Sequence, residues 1–184
     1  MSFGYWEIAL AVLIPGTLYA SWIDYSQRRV PNWLNAALAA AGLAAQAAYF
    51  GWHGLGAGLL GLLVGFALLI VPWLMHGMGA GDVKLLMAIG TWLGPKLTLV
   101  CFATGAIIGG LAALAMIVAT GRTLHALANM QTIMMKVRRL DTAFSDFGGA
   151  KSFGATSQLL PYGVPLTIGT IAVLLTYYIG GWLS

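Results

Sequence analysis

Apolar residues run along the chain in long blocks separated by short polar or glycine-rich pieces. Several blocks approach the ~20 residues that a helix needs to cross a ~30 Å hydrocarbon core. The pattern predicts six helices, at about 5–22, 33–50, 55–75, 83–93, 97–119 and 159–183. The fourth is short, and at ~1.5 Å rise per residue it covers about half of such a core. One longer polar segment, 122–158, separates the last two. Within it Leu124, Leu127, Met130, Ile133, Met134 and Val137 recur at helical spacing beside Lys136, Arg138 and Arg139. That is the pattern of a basic amphipathic helix lying on a membrane surface, and the Gly and Ser that follow read as a loop. No internal repeat and no second domain are visible. The expected fold is all-α, a polytopic membrane protein in which residues 1–184 form a single embedded domain.

Composition agrees. Hydrophobic residues make up 60% of the chain and charged residues 8%, where a soluble domain carries about 25% charged. The 25 glycines suit membrane helices, whose backbones approach closely over small residues. The net charge of +4 points to topology rather than to nucleic acid. With the N-terminus outside, eight basic residues (Arg28, Arg29, Lys84, Arg122, Lys136, Arg138, Arg139, Lys151) fall on the cytoplasmic side and only Lys96 outside. Positive residues mark the cytoplasmic side. No basic stretch precedes the first apolar block, so that block is expected to be retained rather than cleaved as a signal peptide. Cys101 is the one cysteine. It lies in an apolar run with nothing nearby to stabilise a thiolate, and neither a metal nor a cofactor is expected.

Five carboxylates can be weighed singly. Glu7 falls at the outer edge of the first block, and Asp141 and Asp146 fall in the polar segment near Arg138 and Arg139. Asp24 and Asp82 differ. The topology places both at the cytoplasmic ends of apolar helices, where an ionisable group is costly enough to need a reason. Local structural reasons exist: an ion pair of Asp24 with Arg28 one turn on, and a cap by Asp82 on a helix beginning at Val83. The approach to Asp82 carries Gly77, Gly79 and Gly81, which permits unusual backbone angles and close approach of another chain. Two adjacent carboxyl groups sharing one proton can hydrolyse a peptide, one activating water and the other donating to the substrate.

Three motifs carry a resemblance. Asp24-Tyr25-Ser26-Gln27-Arg28-Arg29-Val30-Pro31-Asn32 resembles the first signature of the type IV prepilin peptidases. Gly79-Ala80-Gly81-Asp82-Val83-Lys84 is similar to their GxGD motif, and Leu160-Pro161-Tyr162-Gly163-Val164-Pro165 to a PYG element opening the last span. The resemblance implies an aspartic endopeptidase of the bacterial inner membrane with Asp24 and Asp82 as the catalytic pair at the cytoplasmic face. Its implied partners are a prepilin or pseudopilin leader with its hydrophobic helix, membrane lipid and the pilus assembly machinery. Gly79, Gly81, Lys84, Pro31, Asn32, Pro161, Tyr162 and Gly163 are implied to shape the site or bind substrate. The paired cysteines of the larger, N-methylating members do not occur here, so the resemblance is to the short peptidases of tight-adherence (Flp-type) pili, without methyltransferase activity.

From the residues alone, Lys84 can either hold the charge of the acid pair or reach the membrane interface. Pro31 and Asn32 are expected to open and cap the second helix. His53, His76 and His125 show no partner pattern. Two other classes fit the same residues: a proton-coupled transporter, since membrane carboxylates also relay protons, and a non-catalytic scaffold of a pilus or secretion machine.

Overall fold

The structure is a computed structural model, which describes residues 4–27, 30–74, 78–120 and 162–180. Every element among them is helical: α1 (Tyr5–Gln27), α2 (Asn32–Leu74), α3 (Ala80–Thr120) and α4 (Gly163–Ile179). The first three are long and apolar enough to cross a membrane, and α4 is a shorter apolar helix. The amphipathic helix expected in 122–158 lies outside the described residues.

Six separate helices were expected over 5–183, and the first turns out to run on to Gln27. The second and third expected helices are joined in α2, and the fourth and fifth in α3. Each joined helix is interrupted once. Gly51 has φ 59° and ψ −141°, and Gly94 has φ 71° and ψ 178°, regions open in practice to glycine alone. At Gly51 the chain folds back. A Cβ on Gly58 would lie 3.0 Å from Leu43 Cδ2 and 3.5 Å from Gln46 Cγ, although fifteen residues of straight helix span about 22 Å. Both breaks fall in the gaps left between the expected helices, after residues 50 and 93.

The helices are antiparallel neighbours. Ser21 and Thr17 of α1 meet Gly163 and Thr167 of α4 through hydrogen bonds. Gly16 of α1 packs under Leu38 of α2. The second half of α2 runs against the first half of α3 through Gly58–Thr91, Gly61–Gly90 and Gly65–Leu86. Beyond Gly94, α3 turns to α4, where a Cβ on Gly169 would fall 2.6 Å from the Gly105 nitrogen. Gln27, Asn32, Ala80 and Tyr162 therefore gather at one end of the bundle, and Tyr5, Gly51, Gly94 and Ile179 at the other.

The first half of α3 is the centre of the bundle. Leu85, Leu86, Ala88, Ile89 and Trp92 are buried, so this stretch is covered on every side, as an all-round apolar helix must be in a core. Outward faces carry Leu59, Leu60, Leu63, Ile107, Leu111 and Leu114, a surface suited to lipid. At the end with the glycine breaks, the Trp92 carbonyl accepts hydrogen bonds from Tyr5 Oη and from Gln46 Nε2, the latter at 2.9 Å. Trp92 Nε1 donates to the Leu38 carbonyl at 2.8 Å. Gly94 breaks the helix just beyond, and these side chains bring donors to a backbone oxygen at the break, in an apolar setting where unsatisfied groups are costly.

Gly61 and Gly90 are the tightest crossing: a Cβ on Gly90 would lie 2.2 Å from the Gly61 carbonyl oxygen. Gly90→Val is expected to lose at least about 2 kcal/mol of stability by forcing α2 and α3 apart. Gly56→Ala, in open space, is expected to be neutral or stabilising by up to about 1 kcal/mol. Denaturant unfolding in detergent compares the two.

Candidate active site

Asp24 lies in the last turns of α1 and Asp82 in the first turn of α3. Both are buried, with 8% and 6% of their surface exposed. Their carboxyl groups are close enough to interact through their charges. The helix that holds Asp82 begins at Ala80, not at Val83, so Asp82 sits inside the helix rather than capping it from outside. Its backbone N–H donates to the Gly79 carbonyl at 3.2 Å. Asp82 Oδ1 is buried with no hydrogen-bond partner among the described residues. Arg28, the expected partner of Asp24, lies outside the described residues.

α4 closes the site. A Cβ on Gly163 would lie 2.8 Å from Asp24 Oδ2 and 3.5 Å from Asp24 Cβ, so only glycine lets the start of α4 pack against this carboxyl group. Ser21 Oγ is 3.0 Å from the Gly163 carbonyl and 2.6 Å from Thr167 Oγ1, which lies 3.1 Å from the Thr17 carbonyl. Two hydroxyl groups thus fix α4 on α1 one turn below Asp24. Tyr162 precedes α4 and packs near Gly109. Burial raises its phenol above the usual tyrosine range, and the Asp82 charge raises it further; its neighbour Gly163 lies against Asp24. Pro161 and His76 lie outside the described residues.

Of the glycines before Asp82, Gly79 and Gly81 are among the described residues and Gly77 is not. Neither Gly79 nor Gly81 adopts positive φ. Gly81 lies within α3, and the close approach it permits comes from Val30 of the same chain: its Cβ would be 3.1 Å from Val30 Cβ and 3.2 Å from the Val30 nitrogen. Gly79 leaves room beside Asp82, with Oδ2 at 3.4 Å from its Cβ position.

Pro31 opens α2, its carbonyl accepting the Asn35 N–H at 3.3 Å. Asn32 is the first residue of α2, and its Oδ1 accepts Lys84 Nζ at 2.7 Å. Asn35, not singled out from the sequence, is only 4% exposed. Its Nδ2 points at the Gly81 carbonyl at 3.5 Å, and its Oδ1 has no hydrogen-bond partner among the described residues. A buried oxygen left so costs about 1–3 kcal/mol. The sequence signal was there, an Asn within an apolar helix three residues after Asn32. Ser21 and Thr167 carried no such signal, because hydroxyls in membrane helices usually bond their own backbone. Among the described residues no group of His, Cys, Asp or Glu is gathered as a metal site.

A family model described as the type IV leader peptidase family matches residues 11–114, more than half of the chain. The chain belongs to the type IV leader peptidase family. Asp24, Asn32, Asn35, Asp82 and Lys84 all fall within the matched region, while Tyr162 and Gly163 lie beyond it. The family makes the chain a peptidase, a hydrolase of prepilin-type substrates, and its long apolar helices make it a membrane protein. Comparisons with curated proteins and with solved structures gave no match.

The contact of Val30 with Gly81 offers a test of this geometry that needs no activity. In a Cys101→Ala background, Val30→Cys with Gly81→Cys is expected to cross-link on mild oxidation: the Cβ positions are 3.1 Å apart, and a shift of a few tenths of an ångström brings them into the about 3.5–4.5 Å that disulfides need. Val30→Cys with Gly110→Cys, on separate elements and with open space at Gly110, is expected not to cross-link. Mobility on non-reducing gels before and after reduction reads both.

Proposed function

We propose that this leader peptidase is an aspartic endopeptidase that removes the leader of type IV prepilins of the Flp-like class. The reaction takes place at the cytoplasmic face of the bacterial inner membrane, with Asp24 and Asp82 as the catalytic pair. The observation that carries this reading is the burial of the two carboxyl groups together at one end of an apolar bundle. Two buried carboxylates that interact through their charges disfavour joint ionisation. The pair therefore works with one proton between its members. The ionised member takes a proton from water as that water attacks the scissile carbonyl. The protonated member donates its proton to the carbonyl oxygen; the member that took the proton from water then passes it to the leaving amine as the C–N bond breaks, and the first donor takes back a proton from the gem-diol. The titration belongs to the pair, not to either residue.

Topology follows in the same reading. The helix halves on either side of Gly51 and Gly94 act as separate spans, giving six crossings with the N-terminus outside. Lys84 lies at the end of the bundle that holds the acids, and Lys96 lies beside the Gly94 break at the other end. With the remaining basic residues this gives the asymmetry that marks the acid end as cytoplasmic. Gly79, Gly81, Pro31, Asn32, Pro161, Tyr162 and Gly163 shape the site around the substrate backbone, and the hydrophobic helix of the pilin lies in lipid alongside. Pilus assembly machinery receives the processed pilin. Methylation of the new amino terminus is not part of the activity assigned.

The test is cleavage of a model Flp-type prepilin in liposomes, followed by size shift. Wild type is expected to cut. Asp24→Asn and Asp82→Asn are each expected to lose at least about 10³-fold in rate, since each replaces one of two groups that act together in the transition state. Cleavage retained in either variant contradicts the pair.

A further inference from the structure

The start of α2, with Val30 just before it, meets the first turn of α3 at three points. Val30 packs on the Cα of Gly81, Asn32 Oδ1 takes Lys84 Nζ at 2.7 Å, and Asn35 Nδ2 faces the Gly81 carbonyl at 3.5 Å. Asn32 and Asn35 are three residues apart and share a face of α2. Gly81 and Lys84 are likewise three apart and share a face of α3. Asp82 lies between them. The glycine seam holds α3 against the second half of α2 from Leu86 onward; the two rungs tie the end of α3 that carries Asp82 to the start of α2, on matched faces.

We infer that the Asn32–Lys84 and Asn35–Gly81 contacts form a clamp that sets the orientation of the Asp82 carboxyl group. In this clamp Lys84 is a positioning residue that acts through Asn32. The inference rests on the reading of Asp82 as catalytic. The ammonium group of Lys84 is directed to the side chain that opens α2, so its task is to hold a helix rather than to supply charge to the acids. Asn35 supports the same conclusion independently. An amide so deeply buried, with one long hydrogen bond and a carbonyl oxygen left without a partner, is a poor contributor to stability. Its position against the peptide that leads into Asp82 gives it a role that an apolar residue would not fill.

The experiment is steady-state cleavage of the model prepilin by the full chain in liposomes, with thermal unfolding in detergent measured in parallel. Asn32→Ala and Lys84→Met are each expected to lower kcat about five- to tenfold, with KM nearly unchanged. Their double variant is expected to be no slower than either alone, because both remove one bond. Asn32→Asp, which keeps an acceptor at the same reach, is expected to restore most of the rate. Asn35→Ala is expected to slow Asn32→Ala further. The pH profile of Lys84→Met is expected to keep its wild-type position. A shifted profile in Lys84→Met with full activity in Asn32→Ala would assign Lys84 to the charge of the acid pair and overturn the clamp. Multiplying losses in the double variant would also overturn it, and so would losses that track lowered Tm. A wild type that does not cleave contradicts the peptidase mechanism itself, an outcome distinct from all of these.

Discussion

Gly61 and Gly90 meet backbone to backbone, and the rest of the bundle depends on that contact. A Cβ on Gly61 would sit 2.0 Å from the Gly90 carbonyl oxygen, and one on Gly90 would be as crowded by Gly61. Only at this separation can the second half of α2 cover one side of α3. Membrane helices gain no hydrophobic advantage from meeting each other rather than lipid, so close backbone packing has to supply the association. The crossing sets α3 at the centre, and Gly65 against Leu86 continues the seam toward the acid end. Asp82 reaches the depth of Asp24 because α3 is held there along its first half.

The same logic repeats around the site with different partners. Gly81 admits Val30, Gly163 admits Asp24, and Gly169 admits the backbone of Gly105. Each glycine removes a side chain where another element must lie flush. Hydroxyl and amide groups then fix what packing alone would let slide, as with Ser21 and Thr167 between α1 and α4 and Asn32 with Lys84 between α2 and α3. The acid pair is thus enclosed by three separate interfaces. Its burial is a property of the assembled bundle, not of any one helix.

Much of this could be read from the residues. Apolar block lengths gave helices and a membrane setting, and the scarcity of acids drew attention to Asp24 and Asp82 before any geometry was known. The interruptions at Gly51 and Gly94 fall in the gaps between expected helices. That each is a single glycine at positive φ is what the residue pattern leaves out, since nothing in composition or period separates these two from the helical glycines of the same runs. The glycines before Asp82 permit the close approach of another segment, and at Gly81 Val30 makes one. Sequence spacing tells that a close approach is permitted, but not which segment makes it. Asn35 was passed over because its importance depends on what lies across from it, and Gly81 is distant in sequence.

The central claim is that Asp24 and Asp82 titrate and act as one unit. Its most direct test is the pH dependence of kcat/KM for leader cleavage by wild type in liposomes, with substrate charge held constant by choice of leader. The account predicts a bell-shaped profile, one limb for each step of the pair. A profile with a single limb, or one flat across the range, would mean that only one of the two carboxyl groups takes part and would contradict the account.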